Sequence, residues 1–398
     1  MERSVKGYRW VVLGAATVMQ VGISMPQQTP AALGPILVPA LHLSNAELGL
    51  LTSAIWGGML LGMIPFGILV DRLGERRIVL VGAVVLTAFL LLGSLQDTFL
   101  PLLLVFIPAA IGAASGSPGG TRAIAEWFVP SRRGLALGIR QSGVTTAGVL
   151  AALVLPPIAV ALGWEAAFRT VAIVSLASVV VFVLLYRDPA GGRTRATVDL
   201  RPGVFLRDRR FLAGTGFAWM FMGVLGAEVT YLPATMHARA GLSVVQAGAL
   251  LAVLQVGGVA GRIGWGLFSD VIRSRIVAMA LAGVLTAVAC VLIALYGRTG
   301  VPTAALGGFA ALLGLSGMGW NALYVTLTAE TVPVQHAATA VGVSTTITFT
   351  GMFVGTPLFG LLIDRSGGYE LPWLVLGAWA LVGTAVVLTG RRSGRRLA

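Results

Sequence analysis

The chain has 398 residues, of which 57% are hydrophobic and only 11% are charged, and its formal net charge is +13. Its mean hydropathy is +0.90. Soluble domains carry roughly 25% charged residues, so this composition excludes a water-soluble fold and makes lipid the solvent for most of the surface. The positive charge is then typical of the cytoplasmic loops of a membrane protein rather than of a nucleic-acid-binding face, because the arginines fall in short loops.

Twelve apolar segments follow one another along the chain, close to the length of about 20 residues that crosses a bilayer. Backbone polar groups in lipid find no partner outside their own segment, so each segment is predicted to be a helix. The predicted spans are residues 9–39, 47–70, 78–95, 99–128, 134–160, 167–186, 210–235, 244–268, 276–296, 302–328, 337–362 and 371–390.

The distribution of basic residues predicts the orientation of these spans. With the N-terminus inside, the cytoplasmic segments carry 21 basic residues and the outer ends carry only 4. Both termini are therefore predicted to be cytoplasmic. The longest loop divides the spans six from six, which predicts an N-terminal bundle (1–186), a cytoplasmic linker (187–209) and a C-terminal bundle (210–398).

A short charged turn occurs twice. Gly67-Ile-Leu-Val-Asp71-Arg72-Leu-Gly74-Glu75-Arg76 has a weaker copy at Gly266-Leu-Phe-Ser-Asp270-Val-Ile-Arg273-Ser-Arg275, and the two aspartates are 199 residues apart, half of the chain. A turn repeated at this spacing between apolar segments indicates two homologous membrane halves. We predict an all-α membrane protein with twelve transmembrane helices in two pseudo-symmetric six-helix bundles.

The twelve spans, the central basic loop and the turn at 67–77 resemble the major facilitator superfamily over the whole chain. The resemblance implies two bundles that give alternating access in a bacterial cytoplasmic (inner) membrane, and charged turns that hold the inner gate shut. Glu75, Val271 and Arg273 depart from the usual pattern of that turn. The alternative is that these charges only anchor helices at the membrane surface. The predicted gating residues are Asp71, Arg72, Arg76, Glu126, Asp270 and Arg275.

Arg262 is the most informative charge inside a predicted span. It precedes Asp270 by eight residues, about 12 Å of helix rise, so it needs a polar path or partner. The stretch Gly261-Arg262-Ile-Gly-Trp-Gly266 resembles span eight of the monocarboxylate and oxalate branches of the superfamily, where an arginine binds the substrate carboxylate. A planar guanidinium suits a carboxylate. The alternative is a structural arginine bonded to backbone carbonyls or to Glu228.

Arg122 and Arg140 lie equally far from the turn at Ser131, so antiparallel spans place them at similar depth. Both are candidate anion contacts, together with the neighbouring Gln141. An ion pair between Arg122 and Glu126, four residues apart on one helix, is the alternative for Arg122. Arg140 could instead form part of a cavity wall.

Glu228 is the only carboxylate deep in any predicted span. Burial favours the protonated form of a carboxyl group, so Glu228 is a candidate proton carrier, and a neutral or ion-paired structural role is the alternative. Further candidate substrate contacts are Gln27, Asn321 and Tyr324.

These residues favour a secondary transporter of a small organic anion, and a carboxylate is the favoured substrate. Transport of the anion would be coupled to protons by symport or to a second anion by antiport. The alternatives are efflux of drugs or other amphipathic compounds, and a sensor that kept the fold without transport. No nucleotide-binding loop is present and the three histidines are scattered, so we expect neither an enzyme nor a cofactor or metal site. The expected partners are the substrate, protons and the bilayer, and the expected state is a monomer.

Overall fold

The computed structural model describes residues 2–128, 130–187, 208–296, 302–331 and 337–393, and these residues form helices joined by short turns. The helices of the N-terminal half are α1 (Glu2–Ala40), α2 (Asn45–Leu73), α3 (Glu75–Gly93), α4 (Phe99–Ala113), α5 (Gly116–Trp127), α6 (Pro130–Leu162) and α7 (Trp164–Leu185). Those of the C-terminal half are α8 (Arg209–Ala240), α9 (Val244–Val271), α10 (Arg275–Leu295), α11 (Ala305–Leu313), α12 (Asn321–Glu330), α13 (Ala337–Ser366) and α14 (Glu370–Thr389), with a π-helix at Gly314–Met318 and a 3-10 turn at Gly390–Ser393.

Ten stretches of the described residues are long and apolar enough to cross a membrane. The other two of the twelve predicted spans correspond to α1 and to α4 and α5 together. The 39 residues of α1 include the polar run Gln27-Gln28-Thr29. The predicted all-α membrane fold is therefore confirmed.

The chain divides into two compact units. One contains Met1–Leu43 and Ala54–Ala196, and the other contains Ser44–Ser53 and Thr197–Ala398. The first residues of α2 thus pack with the C-terminal unit, which a simple division at a linker does not anticipate. Residues 188–207 of the predicted linker lie outside the described residues.

The two units repeat one packing plan. In the first, α1 packs on α6 and α7, and α3 packs on α7. In the second, α8 packs on α13 and α14, and α10 packs on α14. Because α8 to α14 follow in the same order as α1 to α7, the same helix partners recur in each half, as a duplicated unit requires.

Predicted spans four and ten are both interrupted, and at equivalent positions. The break between α4 and α5 contains Ser115, and the 199-residue offset of the repeated turn leads from it to position 314, where the π-helix begins. A single-turn π segment inside an α-helix is uncommon and is frequent at functional sites.

Glycines allow the closest helix contacts in each unit, again with the same offset. Gly58 and Gly62 of α2 lie against α4, and Gly257 and Gly261 of α9 lie against α11 and the π-helix. A β-carbon at Gly62 would come within 2.8 Å of the carbonyl oxygen of Ile111. Small residues four positions apart let helix backbones approach in lipid, where packing rather than water exclusion drives association.

Candidate functional site

Among the described residues of the N-terminal unit, Arg140 of α6 is a buried cation, of which 3% is exposed. Its Nη2 donates to Oε1 of Gln20 at 2.6 Å and, at longer distances, to the carbonyl oxygens of Gly116 and Ser117. Its Nη1 donates to Oγ1 of Thr121 at 3.2 Å. These hydrogen-bond acceptors are all neutral, so none of them supplies a negative charge to balance the guanidinium.

Local sequence explains how this cluster forms. Gln20 lies on the polar stretch of α1, and its Nε2 donates to Oγ of Ser24 at 2.9 Å, which fixes its oxygen toward Arg140. The break before α5 brings the carbonyls of its first turn beside α6. Gly120 completes the fit, because a β-carbon there would approach Nε of Arg140 at 2.5 Å.

The other predicted N-terminal contacts are not all brought into this cluster. Gln141 is exposed although it follows Arg140 directly. Gln27 is buried, two turns after Gln20 on α1, but it is not among the hydrogen-bond partners described for Arg140. The side chain of Arg122 lies outside the described part of the structure, and so does its predicted pairing with Glu126.

The C-terminal unit buries a carboxylic acid within a span. Glu228 of α8 is 0% exposed, and within the described residues neither of its carboxyl oxygens has a hydrogen-bond partner. Its Oε2 lies against Gly317, so closely that a β-carbon on that residue would overlap it. Glu228 therefore occupies the space that the π-helix leaves by having glycine at this position.

Tryptophan side chains satisfy backbone oxygens of the π-helix. The indole nitrogen of Trp320 donates to the carbonyl of Gly317 at 2.7 Å, and that of Trp265 on α9 donates to the carbonyl of Leu315 at 2.8 Å. Two carbonyls of the π-helix are thus satisfied by side chains, one from α9 and one from the turn before α12. Sequence reasoning missed it, although the glycines at 314, 317 and 319 were a signal that this span is irregular.

Tyr324 belongs to a second polar cluster beyond the π-helix. Its hydroxyl donates to Oγ of Ser344 at 2.5 Å, and that oxygen also lies 2.7 Å from Oγ1 of Thr215. All three are buried, and they join α12, α13 and α8. Asn321, one turn earlier, is half-buried.

Arg262 is partly exposed on α9. Its neighbour Gly261 packs on the backbone of Leu315, and Trp265 anchors the next turn to the same carbonyl. Arg262 thereby lies between two residues of α9 that contact the π-helix.

The repeated charged turn differs between its two copies. In the second, the guanidinium of Arg275 bonds the carboxylate of Asp270 and the hydroxyl of Ser269, and lies 3.3 Å from Oε1 of Glu330 at the end of α12. Arg273 has a φ of 50°, whereas the equivalent residue of the first copy is Gly74 with a φ of 90°. A left-handed backbone suits glycine better than arginine, so the second copy carries local strain.

The first copy is described only in part. The side chain of Asp71 lies outside the described residues, and those of Arg72 and Arg76 are exposed. Glu126 at the end of α5 accepts a hydrogen bond from the hydroxyl of Tyr186, 2.8 Å away, at the end of α7. The predicted association of Glu126 with the Asp71 turn stays a prediction.

Solved structures share this fold. The chain is similar to a bacterial homolog of the human lysosomal transporter Spinster, with a TM-score of 0.83 at 18% identity over 97% of each chain. At this identity the likeness shows the fold alone.

The family follows from the sequence. The family model described as Major Facilitator Superfamily matches residues 12–356, and the chain belongs to that family of transporters. Among its relatives, the probable sulfoacetate transporter SauU of Cupriavidus necator is 25% identical over 96% of this chain and 93% of its own length. The hexuronate transporter of Bacillus subtilis is 23% identical over 89% of this chain and 88% of its own length.

Proposed function

We propose that the protein is a secondary transporter that moves a small organic anion, a carboxylate or sulfonate, across the bacterial inner membrane by alternating access. The relatives described as sulfoacetate and hexuronate transporters support this substrate class, because both substrates are small organic acids. The proposed orientation has both termini in the cytoplasm, and the transporting unit is the monomer.

The observation that carries the proposal is the environment of Arg140. A buried charge is costly unless a partner compensates it, and the acceptors around this guanidinium are neutral oxygens. An anionic substrate supplies the missing charge. Arg262 is the proposed second contact, and Arg122, Gln141, Gln27, Asn321 and Tyr324 are proposed to complete the substrate path.

Anion entry needs an energy source. An inside-negative potential opposes it by about 2.3 kcal/mol per charge for each 100 mV. We propose that Glu228 carries the coupling proton, since a carboxyl group in a dry interior is much cheaper to bury when neutral. Glu228 contacts Gly317 of the π-helix, and Gly317 lies on the same span as Asn321 and Tyr324. Protonation of Glu228 can therefore change the positions of these two residues in the substrate path by way of the π-helix.

Uptake by proteoliposomes tests the substrate class. Radiolabelled glucuronate and sulfoacetate serve as probes, and the variants are Arg140→Gln and Arg262→Ala. The matched control is Arg132→Gln, because Arg132 is exposed and lies on the same helix as Arg140. We expect uptake by the native chain and the control, and a loss of about 100-fold in kcat/KM for Arg140→Gln, or about 2.7 kcal/mol. Normal uptake by Arg140→Gln and Arg262→Ala would show that the anion site is wrong.

The alternatives give different results in the same vesicles. Exchange of an amphipathic cation with no uptake of either acid would favour the efflux function. Binding of an acid without counterflow would favour a sensor, since a receptor does not exchange its ligand across the bilayer.

Glu228→Gln tests the proton. We expect this variant to lose uptake driven by a pH gradient while it keeps counterflow of labelled against unlabelled substrate, because exchange requires no net proton movement. Gradient-driven uptake equal to that of the native chain would exclude Glu228 as the carrier.

A further inference from the structure

A third copy of the charged turn lies at the end of α13. Gly360-Leu-Leu-Ile-Asp364-Arg365-Ser-Gly367 repeats the pattern Gly-x-x-x-Asp-Arg-x-Gly found at Gly67–Gly74. The final glycines match in conformation as well, because Gly367 has a φ of 67° and Gly74 has a φ of 90°. In the proposed orientation this third copy lies at the outer membrane surface, opposite the first two.

The carboxylate of Asp364 receives the beginning of α2. Its Oδ1 accepts from the backbone nitrogen of Asn45 at 3.0 Å and from Nδ2 of the same residue at 2.8 Å. Its Oδ2 accepts from the backbone nitrogen of Ala46 at 2.9 Å. A helix N-terminus exposes N–H groups and a partial positive charge, both of which a carboxylate stabilises.

The remaining donors of this helix start are satisfied locally. The backbone nitrogen of Ser44 donates to Oε2 of Glu47, and the backbone nitrogen of Glu47 donates to Oγ of Ser44. Asp364 therefore supplies two of the four acceptors that the first turn of α2 requires, and it does so from a helix more than 300 residues away along the chain.

Three features of the surroundings fit this contact. The hydroxyl of Tyr231 donates to the carbonyl of Asn45 at 2.7 Å. A β-carbon at Gly49 or Gly360 would overlap that hydroxyl, so each position needs glycine. Burial and the charge of Asp364 raise the pKa of Tyr369, so its hydroxyl stays neutral and adds no second negative charge.

The glycines that begin the three copies have different surroundings. Gly360 packs on the backbone of Asn45, whereas a β-carbon on Gly67 or on Gly266 would meet nothing within 4 Å among the described residues. Among the described residues, Gly360 is therefore the one of these three glycines that packs on the backbone of another helix.

We propose that Asp364 is an outer latch, which binds the N-terminus of α2 when the outer end is closed and releases it when the transporter opens outward, in alternation with Asp71 at the inner end. The proposal rests on the alternating access proposed above, but not on the identity of the substrate. Water can solvate the freed N–H groups at the exposed end of α2, so the contact is reversible.

Cysteine labelling tests the latch without any substrate. Thr52 lies buried in the segment 44–53 that packs with the C-terminal unit, and the single native cysteine, Cys290, is buried. A membrane-impermeant maleimide added from outside reports the opening of Thr52→Cys, and the chain without that substitution is the blank.

The variants are Asp364→Ala and Gly360→Ala. The control for the first is Asp97→Ala, because Asp97 is another exposed aspartate at a predicted outer end. The control for the second is Gly368→Ala, because a β-carbon there meets open space. We expect labelling to rise about fivefold in both variants, the effect of about 1 kcal/mol at a helix terminus, and to stay unchanged in both controls. Unchanged labelling in both monodisperse variants would overturn the latch.

Adding Asp71→Ala distinguishes a latch from local loosening. We expect the double variant Asp71→Ala with Asp364→Ala to label near the native rate, because each substitution then weakens one of two opposing states. A rate that stays fivefold high would show that Asp364 only holds the helix end in place, and the alternation would be wrong. A supported latch with no uptake of organic acids would refute the proposed substrate while leaving this inference intact.

Discussion

The two units share their packing but not their buried charge. The same helix partners recur in the same order, and the same glycine pairs recur at a 199-residue offset. Within the membrane-spanning segments of the described residues, however, the N-terminal unit buries a cation surrounded by neutral acceptors, and the C-terminal unit buries an acid that has no described acceptor or donor. The N-terminal unit also buries the acid Glu75, but at the start of α3 rather than within a span. Duplication therefore conserved the contacts that set helix distances, whereas the polar interiors diverged.

The divergence is visible at equivalent positions. The sequence correspondence of Leu137-Gly138 with Val341-Gly342 pairs Arg140 with Ser344. Arg140 binds Gln20 of α1, while Ser344 accepts from Tyr324. One bundle uses this place for a charge, and the other uses it to join three helices through hydroxyl groups.

The largest expected effects come from breaking the shared packing. Gly62→Leu and Gly261→Leu place a large side chain where a backbone carbonyl of the neighbouring helix lies. Extra methylene groups in a packed interior cost about 1–3 kcal/mol and occasionally more. Each leucine brings four carbon atoms against a backbone carbonyl that has little room to move, so the melting temperature in detergent should fall strongly and by similar amounts for both. The controls Gly67→Leu and Gly264→Leu, in the same two helices, point into open space and should melt like the native chain. A large fall for only one of the two variants would show that the packing is not equivalent.

The two buried charges should differ in what they contribute to stability. Arg140→Met removes a buried charge that no described anion balances, but it also removes four hydrogen bonds at once. We expect the lost hydrogen bonds to outweigh the relief, with a fall of about 2–4 kcal/mol in the free energy of unfolding. Glu228→Gln keeps the shape of a group without described hydrogen bonds and should change stability by less than about 1 kcal/mol. Thermal unfolding of both variants checks the contrast, and equal losses would contradict it.

A double-mutant cycle sharpens the contact between Glu228 and the π-helix. Gly317→Ala adds a β-carbon that overlaps the carboxyl group, so it should destabilise the native chain. Glu228→Ala removes that carboxyl group, and in its presence Gly317→Ala should be tolerated. We expect a coupling of at least about 1 kcal/mol between the two substitutions, and additive melting shifts would show that the two side chains do not touch.

The smallest expected effect concerns the strained turn of the second copy. Arg273→Gly relieves a left-handed residue with a φ of 50° and should stabilise the protein by about 1 kcal/mol. The neighbouring control Arg275→Gly should instead destabilise it, because Arg275 bonds Asp270 and Ser269. A lower melting temperature for Arg273→Gly would mean that the side chain of Arg273 stabilises the fold by more than its left-handed backbone destabilises it.

The sequence predicted the helices well because hydropathy is a local property. A run of apolar residues has to be helical in lipid wherever it lies, and the bounds of α2, α7 and α9 fall close to the predicted spans. Repetition at half-chain spacing likewise depends only on the order of residues, so the two homologous halves were also readable.

The sequence did not determine which polar groups meet. The depth of Arg140 follows from its position in a span, but its partners Gln20 and Thr121 come from other helices and depend on how those helices pack. The same holds for Gly317 beside Glu228, and for Asp364 at the first turn of α2. Each of these contacts joins residues that are far apart in the chain, and only tertiary packing decides such pairings, since neither hydropathy nor periodicity carries information about the facing side chain.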